Sequence, residues 1–275
     1  MNHPTLLCHV DVSSDNRDVL AVTADLAATT GAAVIGVAAC QPIQPLDTLP
    51  IAPELLEADL TEIKRATRQA EQRFRTYLGD KVRHLSFRAS TTYQALDDYI
   101  ARQARAADYI VTGPDLGAGL LAGTRHANLG DLVMHAGRPV IVVPNGAAEC
   151  LLGSMVVAWT DSREARRAAA DALPLLRQGR RVTVLEVARK GDHENAVHRT
   201  VDVTAWLGRH GILARPMVRT AQGRDVECLR AILDELECDF LIAGAYSHSR
   251  VGEWAFGGVT TDLLLKPHCV TMVSH

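Results

Sequence analysis

At 275 residues the chain can form one large domain or two of about 130 to 140 residues. Its composition, 47% hydrophobic and 22% charged, is that of an ordinary soluble globular protein, and a net charge of −3 with scattered arginines excludes a global field favouring nucleic acid or anionic membrane. The six cysteines show neither CxxC nor metal-ligand spacing, and no leader or membrane-length apolar run is evident, so the expected compartment is the reducing cytoplasm.

Strand and helix patterns alternate from the start. Thr5 to Val10 reads as a buried strand ending at Asp11-Val12-Ser13-Ser14, and Asp15 to Thr30 as a helix stopped by Gly31. Ala32 to Ala39 is a second strand. A Pro-rich loop follows, then a long charged amphipathic helix from about Glu54 to Leu78, whose charged stripe reads as a solvated face. Strand three is expected near Val82 to Ala89, a helix over Thr92 to Ala106, and strand four over Tyr109 to Thr112 before Gly113. A loop and helix from Pro114 to Ala136 lead to strand five, Pro139 to Val143.

After a linker, Pro144 to Cys150, the pattern begins again. Ser154 to Trp159 is a strand ending at Thr160-Asp161-Ser162, followed by a helix from Arg163 to Arg177 and a strand from Arg181 to Val187. Then come a helix over His198 to His210, a strand over Leu213 to Val218, a helix over Val226 to Leu236, and strands at Phe240 to Ala243 and Cys269 to Val273. Matching landmarks indicate duplication, with Asp11-Val12-Ser13 answering Thr160-Asp161-Ser162 and Gly113 answering Gly244. The expected domains are 1–146 and 151–275.

Apolar strands separated by helices imply parallel sheets covered on both faces. Such sheets bind ligands at their carboxyl edge, where the loops after the first and fourth strands diverge. In the second half the loop after the fourth strand is GAYSHSRVGEWAFGGVT, Gly244 to Thr260, with Gly257 and Gly258 at a helix start. Glycines there let the backbone approach an anion, toward which the first helical amides point.

The opening VVAWTDSREARRAAADALPLL, Val156 to Leu176, and the closing DFLIAGAYSHSRVGEWAFGGVTTDLLLKPHCVTMVSH, Asp239 to His275, resemble those of the universal stress protein family in its tandem, two-domain form. LLCHVDVS, ADYIVTGPDLG and GRPVIVVP carry the resemblance in the first half, so it covers essentially the whole chain. It implies an α/β fold of two Rossmann-like (adenine nucleotide alpha hydrolase-like) domains, each a five-stranded parallel sheet with helices on both faces. It also implies that the last strands, Val140 to Val143 and Val270 to Val273, pair the halves into an intramolecular pseudo-dimer, and it allows a homodimer.

The family signature is G-x2-G-x9-G-[S/T] with an Asp at the end of strand one, and its members divide into ATP-binding and non-binding groups. In the second half Gly244 and Gly257 stand at the right separation, Ser247 replaces the second Gly, and Gly258 replaces the hydroxyl residue, with Thr260 as a substitute hydroxyl. Thr160 holds the strand-one Asp position with Asp161 beside it, and Val187 ends the second strand. His248 and Arg250 lie between the glycines, where they could meet phosphate charge. The first half keeps Asp11 and Ser13, but after Gly113 the signature positions hold Leu116, His126 and Ala127, and Pro114 removes one amide. Asp11 reads equally well as a helix cap. The resemblance thus implies ATP or a related adenine nucleotide in the second half.

Other clusters carry less. His193 and His198 are five residues apart without an H-x3-H or HExxH pair, so no metal is expected, and Cys150 in the linker is the thiol expected to be exposed. G-x-S-x-G and a Walker lysine are absent, so a non-enzymatic protein is expected, with ATP hydrolysis at most slow and incidental. The alternative is a nucleotide-independent stress or signalling scaffold acting through protein contacts, with neither nucleic acid nor membrane as a partner in either case.

Overall fold

A computed structural model describes residues 3–44, 52–114, 125–220, 225–246 and 258–275. The chain divides into two compact units, Met1–Arg138 and Pro139–His275.

The first unit contains β1 (Thr5–His9), α1 (Arg17–Thr30), β2 (Ala33–Cys40), α2 (Pro53–Leu78), β3 (Leu85–Thr91), α3 (Leu96–Gln103), β4 (Tyr109–Thr112) and α4 (Leu129–His135). Its strands lie parallel in the order β3-β2-β1-β4. β1, β2 and β4 are buried almost throughout rather than alternately, as expected for strands covered on both faces. α1 ends at Gly31, whose φ of 69° is the left-handed conformation that a helix C-cap takes, and its N–H closes on the carbonyl of Ala27. α2 buries Ile63, Thr67, Ala70, Phe74 and Leu78, a stripe at helical spacing, while pairs such as Arg65–Glu62 and Arg75–Glu71 stay exposed. Two elements are shorter than their apolar patterns. Val82 is buried but its N–H bonds to Leu78 at the close of α2, so β3 starts at Leu85. Thr92 accepts from the N–H of Gln94, a turn that delays α3 to Leu96, and the helix tightens to a 3₁₀ turn over Ala104–Ala106.

The second unit contains β5 (Val140–Val142), β6 (Ser154–Ala158), α5 (Arg163–Asp171), α6 (Leu173–Leu176), β7 (Arg181–Ala188), α7 (His193–Arg209), β8 (Ala214–Thr220), α8 (Asp225–Glu235), β9 (Phe240–Gly244), α9 (Gly258–Leu265) and β10 (Val270–Ser274). Five strands run parallel in the order β10-β9-β6-β7-β8. β5 adds antiparallel to β10, with Ile141 opposite Met272. The last strand of the first repeat therefore packs within the second unit, and the compact boundary falls at 138/139 rather than in the linker. The outermost β8 is half-exposed and carries Pro216, a residue that a central strand would not accept.

The expected helix from Arg163 to Arg177 divides at Ala172, because Pro174 has no N–H to donate and its ring crowds the preceding turn. α7 starts five residues earlier than its apolar pattern suggests. Asp192 holds that start by accepting from Asn195 and from Arg199. The guanidinium of Arg199 also forks onto the buried carboxylate of Glu186 in β7 at 3.0 and 3.2 Å, which raises the Arg199 pKa further.

Candidate ligand-binding site

The position of a site follows from strand order. From β6 the chain moves outward through β7 to β8, whereas from β9 it moves the other way to β10. The adjacent carboxyl ends of β6 and β9 therefore mark the switch point of strand order, the place where such sheets bind ligands. In the first unit β1 likewise lies between β2 and β4.

In the second unit, β6 leads into Thr160, Asp161 and Ser162. Ser162 Oγ accepts from the N–H of Ala165 at 3.1 Å and so caps α5. Thr160 is exposed, and its hydroxyl lies 3.4 Å from that of Ser162. Asp161 is also exposed and accepts from Arg166 Nη1 at 2.6 Å, an ion pair along the outer surface of α5. Glu164 is buried, and despite that burial its carboxyl pKa is lowered by hydrogen bonds from the backbone and from Arg163. Gly244 ends β9 against this first helical turn. A Cβ there would stand 2.5 Å from the N of Ala165 and 2.7 Å from the carbonyl carbon of Glu164, both backbone atoms. Glycine is needed here for close packing of strand on helix, whatever the loop binds.

Beyond Gly244, Ala245 donates to the carbonyl of Ser274 at 2.9 Å, and the carbonyl of Ala245 lies 3.1 Å from Nδ1 of His275. Tyr246 has φ 56°, and its ring meets that of His275 edge-on at 6.5 Å. Val187 stands near the carboxyl end of β7, partly exposed. Gly258 and Thr260 lie in the first turn of α9. Ser247, His248, Arg250 and Gly257 lie outside the described residues. Sequence reading missed Tyr246, His275 and Arg163 at this edge. The register Ser274–Gly244 brings His275 beside Ala245 and Tyr246, and no spacing signals it.

The first unit uses the equivalent space differently. Asp11 accepts from the N–H of Ser13 at 2.8 Å and from Nδ1 of His126 at 2.5 Å. Asn16, not Asp11, ties the start of α1: its amide accepts from the Asp11 N–H and donates to the carbonyls of Asp11 and Ser14. His126, at the signature position for the third glycine, thus bonds to the acid at the end of strand one. Arg125 pairs with Asp59 of α2 and donates to the carbonyl of Gln41, while Asp59 accepts from the N–H of Ile43. Beneath them His9 is buried and shares a 2.9 Å hydrogen bond with Thr112. Burial lowers the His9 pKa, with the Asp11 charge opposing it. Cys40 has its pKa raised by burial, against the nearby Arg125 charge. Gly113 is only partly exposed here. At this edge the carboxylates of Asp11 and Asp59 are thus already paired, with His126 and Arg125.

Elsewhere in the first unit, Asp97 and Asp98 of α3 and His135 of α4 bring possible metal-ligating atoms within 4.8 Å of one another. His135 already meets Asp98 at 3.5 Å. Burial, then the neighbouring Asp131 and Asp98, raises the Asp97 pKa. His193 and His198 are not in such a group among the described residues. Cys150, expected to be exposed, is buried, although Asn145, Gly146, Ala148 and Glu149 of the same linker are exposed. No described helix is long and apolar enough to cross a membrane.

No family model and no curated protein matches the chain. Solved structures do. A universal stress protein from Archaeoglobus fulgidus superposes with a TM-score of 0.68 at 15% identity, covering 98% of this chain and 96% of that one. A protein of unknown function from Pseudomonas aeruginosa superposes with a TM-score of 0.54 at 13% identity, over 99% and 92%. The chain has the fold that these two structures share.

Proposed function

We propose that the protein is a cytoplasmic tandem universal stress protein whose second unit binds ATP or a related adenine nucleotide, without catalytic turnover. The observation that carries this reading is the switch in strand order between β6 and β9. There Thr160 and Asp161 follow one strand, and the segment from Gly244 to Gly258 follows its neighbour and opens α9. An α9 start after a glycine-bearing loop suits a phosphate, whose charge the first amides would meet, and Arg163, exposed though paired with Glu164, reaches His275 at the same sheet edge. Val187 at the end of β7 would flank the base. The first unit does not compete for ligand in this reading, since His126 and Arg125 already hold its acids. The strand exchange of β5 onto β10 supports an intramolecular pairing of the two repeats.

A second reading, a nucleotide-independent scaffold, draws on two observations at the same edge. Gly244 is accounted for by packing on α5, and Asp161 is turned to the surface pairing with Arg166. Isothermal titration with ATP separates the two. Micromolar to sub-millimolar binding that Gly257→Asp abolishes supports the first. Absence of heat up to millimolar ATP, with the variant indistinguishable from the parent, supports the scaffold. Release of ADP at turnover rates would contradict the non-enzymatic part of either.

A further inference from the structure

At the opposite, amino edge of the second unit two thiols meet. Cys238 Sγ and Cys269 Sγ are 3.8 Å apart and share a hydrogen bond. Each residue lies just before a strand: β9 begins at Phe240 and β10 at Val270, and these two are register partners. Neither sulfur is therefore carried by a residue locked into the ladder. Cys238 follows the left-handed turn at Glu237, φ 47°, where α8 closes with Cys238 N–H on the carbonyl of Leu233 at 2.9 Å. A disulfide needs about 2.05 Å between sulfurs. From 3.8 Å that requires each to move by a little under ~1 Å, within reach of side-chain rotation at two loop positions.

We infer that Cys238 and Cys269 form an oxidisable pair, which a hydroperoxide converts to an intrachain disulfide. The step balances as follows. The Cys238 thiolate attacks one oxygen of hydrogen peroxide, a sulfur–oxygen bond forms, the oxygen–oxygen bond breaks, and hydroxide leaves to be protonated as water. Cys269, as thiolate, then attacks the sulfenic sulfur, the sulfur–sulfur bond forms, and the sulfenic oxygen leaves as a second water. The two sulfurs lose two electrons and the peroxide gains them. Cys238 is the partner assigned to meet peroxide because it is half-exposed, whereas Cys269 is buried. The hydrogen bond shared with Cys269, whose sulfur holds the Cys238 proton, followed by burial, keeps the Cys238 thiol far above the usual thiol range. Thiolate is therefore scarce near neutrality, and oxidation is slow there and accelerates as pH rises. The resulting ring runs from Cys238 through β9 and α9 to Cys269, so it encloses in sequence the whole candidate ligand loop.

The test treats the folded, full-length chain with hydrogen peroxide at pH 7 and pH 9, then denatures it, labels thiols with a maleimide and maps disulfide peptides. The expected result is a fall from six labelled thiols to four, faster at pH 9, with one disulfide joining the peptides of Cys238 and Cys269 and reversal by dithiothreitol. Cys238→Ser and Cys269→Ser should each keep all five remaining thiols free of intrachain disulfide. Six labelled thiols at both pH values, or a disulfide mapped to any other pair, overturns the assignment. Peptide mapping on the parent chain decides this even where a serine variant folds poorly.

Discussion

Gly244 sits where two backbones approach within van der Waals contact, so its substitution tests packing apart from binding. Gly244→Ala places a methyl on the α5 backbone, which cannot rotate away, and is expected to cost about 1–3 kcal/mol in urea unfolding. Gly208 in α7 has open space around its missing Cβ, and Gly208→Ala should instead stabilise by about 0.5–1 kcal/mol. The same melt measures both. A neutral Gly244→Ala would leave the glycine to a ligand rather than to the helix. His9 supplies the pH test. Burial depresses its folded pKa, so the unfolded chain binds the additional proton as pH falls through the ordinary imidazole value of about 6.5. The unfolded state holding more protons means that stability rises with pH. His9 therefore adds a loss of stability from pH 7 toward pH 5, and His9→Gln should flatten that slope in urea midpoints taken across the range. That glycines and a strand-end acid stand at this edge was legible from spacing alone. What they touch was not, since Asp11 and His126 are separated by 115 positions.

Among the elements, periodicity located nearly every strand and helix, and the departures have local causes. Pro174 divides the helix after β6, the Val82 N–H is spent on α2, and Asp192 extends α7 backward through polar residues that read as loop. The tie between β7 and α7 is the most exposed to test. Glu186 is buried with Arg199 as its guanidinium partner, and Arg199 is itself only partly exposed. Arg199→Ala would leave the carboxylate without a counter-charge inside the sheet, at an expected cost of about 3 kcal/mol. The Glu186→Gln, Arg199→Ala double variant should recover part of that loss, because the uncompensated charge is gone. Equal stability of single and double variants in chemical denaturation would contradict this account of the pair.

For the molecule as a whole, the repeat in the sequence and the compact units in space do not share a boundary. The sequence restarts at Ser154, but β5 from the end of the first repeat belongs to the second unit and covers β10. A fragment of residues 151–275 would therefore expose the edge of β10, an apolar strand whose backbone groups invite pairing with another chain. A fragment of residues 139–275 keeps that edge paired. The longer fragment is expected to elute as a single species with a cooperative thermal transition, and the shorter to associate or aggregate on size exclusion. Equal behaviour of the two would mean that β5 contributes little to the unit.

By itself the sequence determined the alternation of strands and helices and most of the stops between them. Those features are written in local periods and in residues whose backbone preferences act within a few positions. Tertiary structure decided which unit holds β5, that Gly244 serves the packing of β9 on α5, and that Asp11 is answered by His126. It also decided that Cys238 and Cys269 touch. Each of these depends on two segments far apart in the chain arriving at one place. Such pairing is set by sheet order and register, and neither residue type nor spacing encodes it.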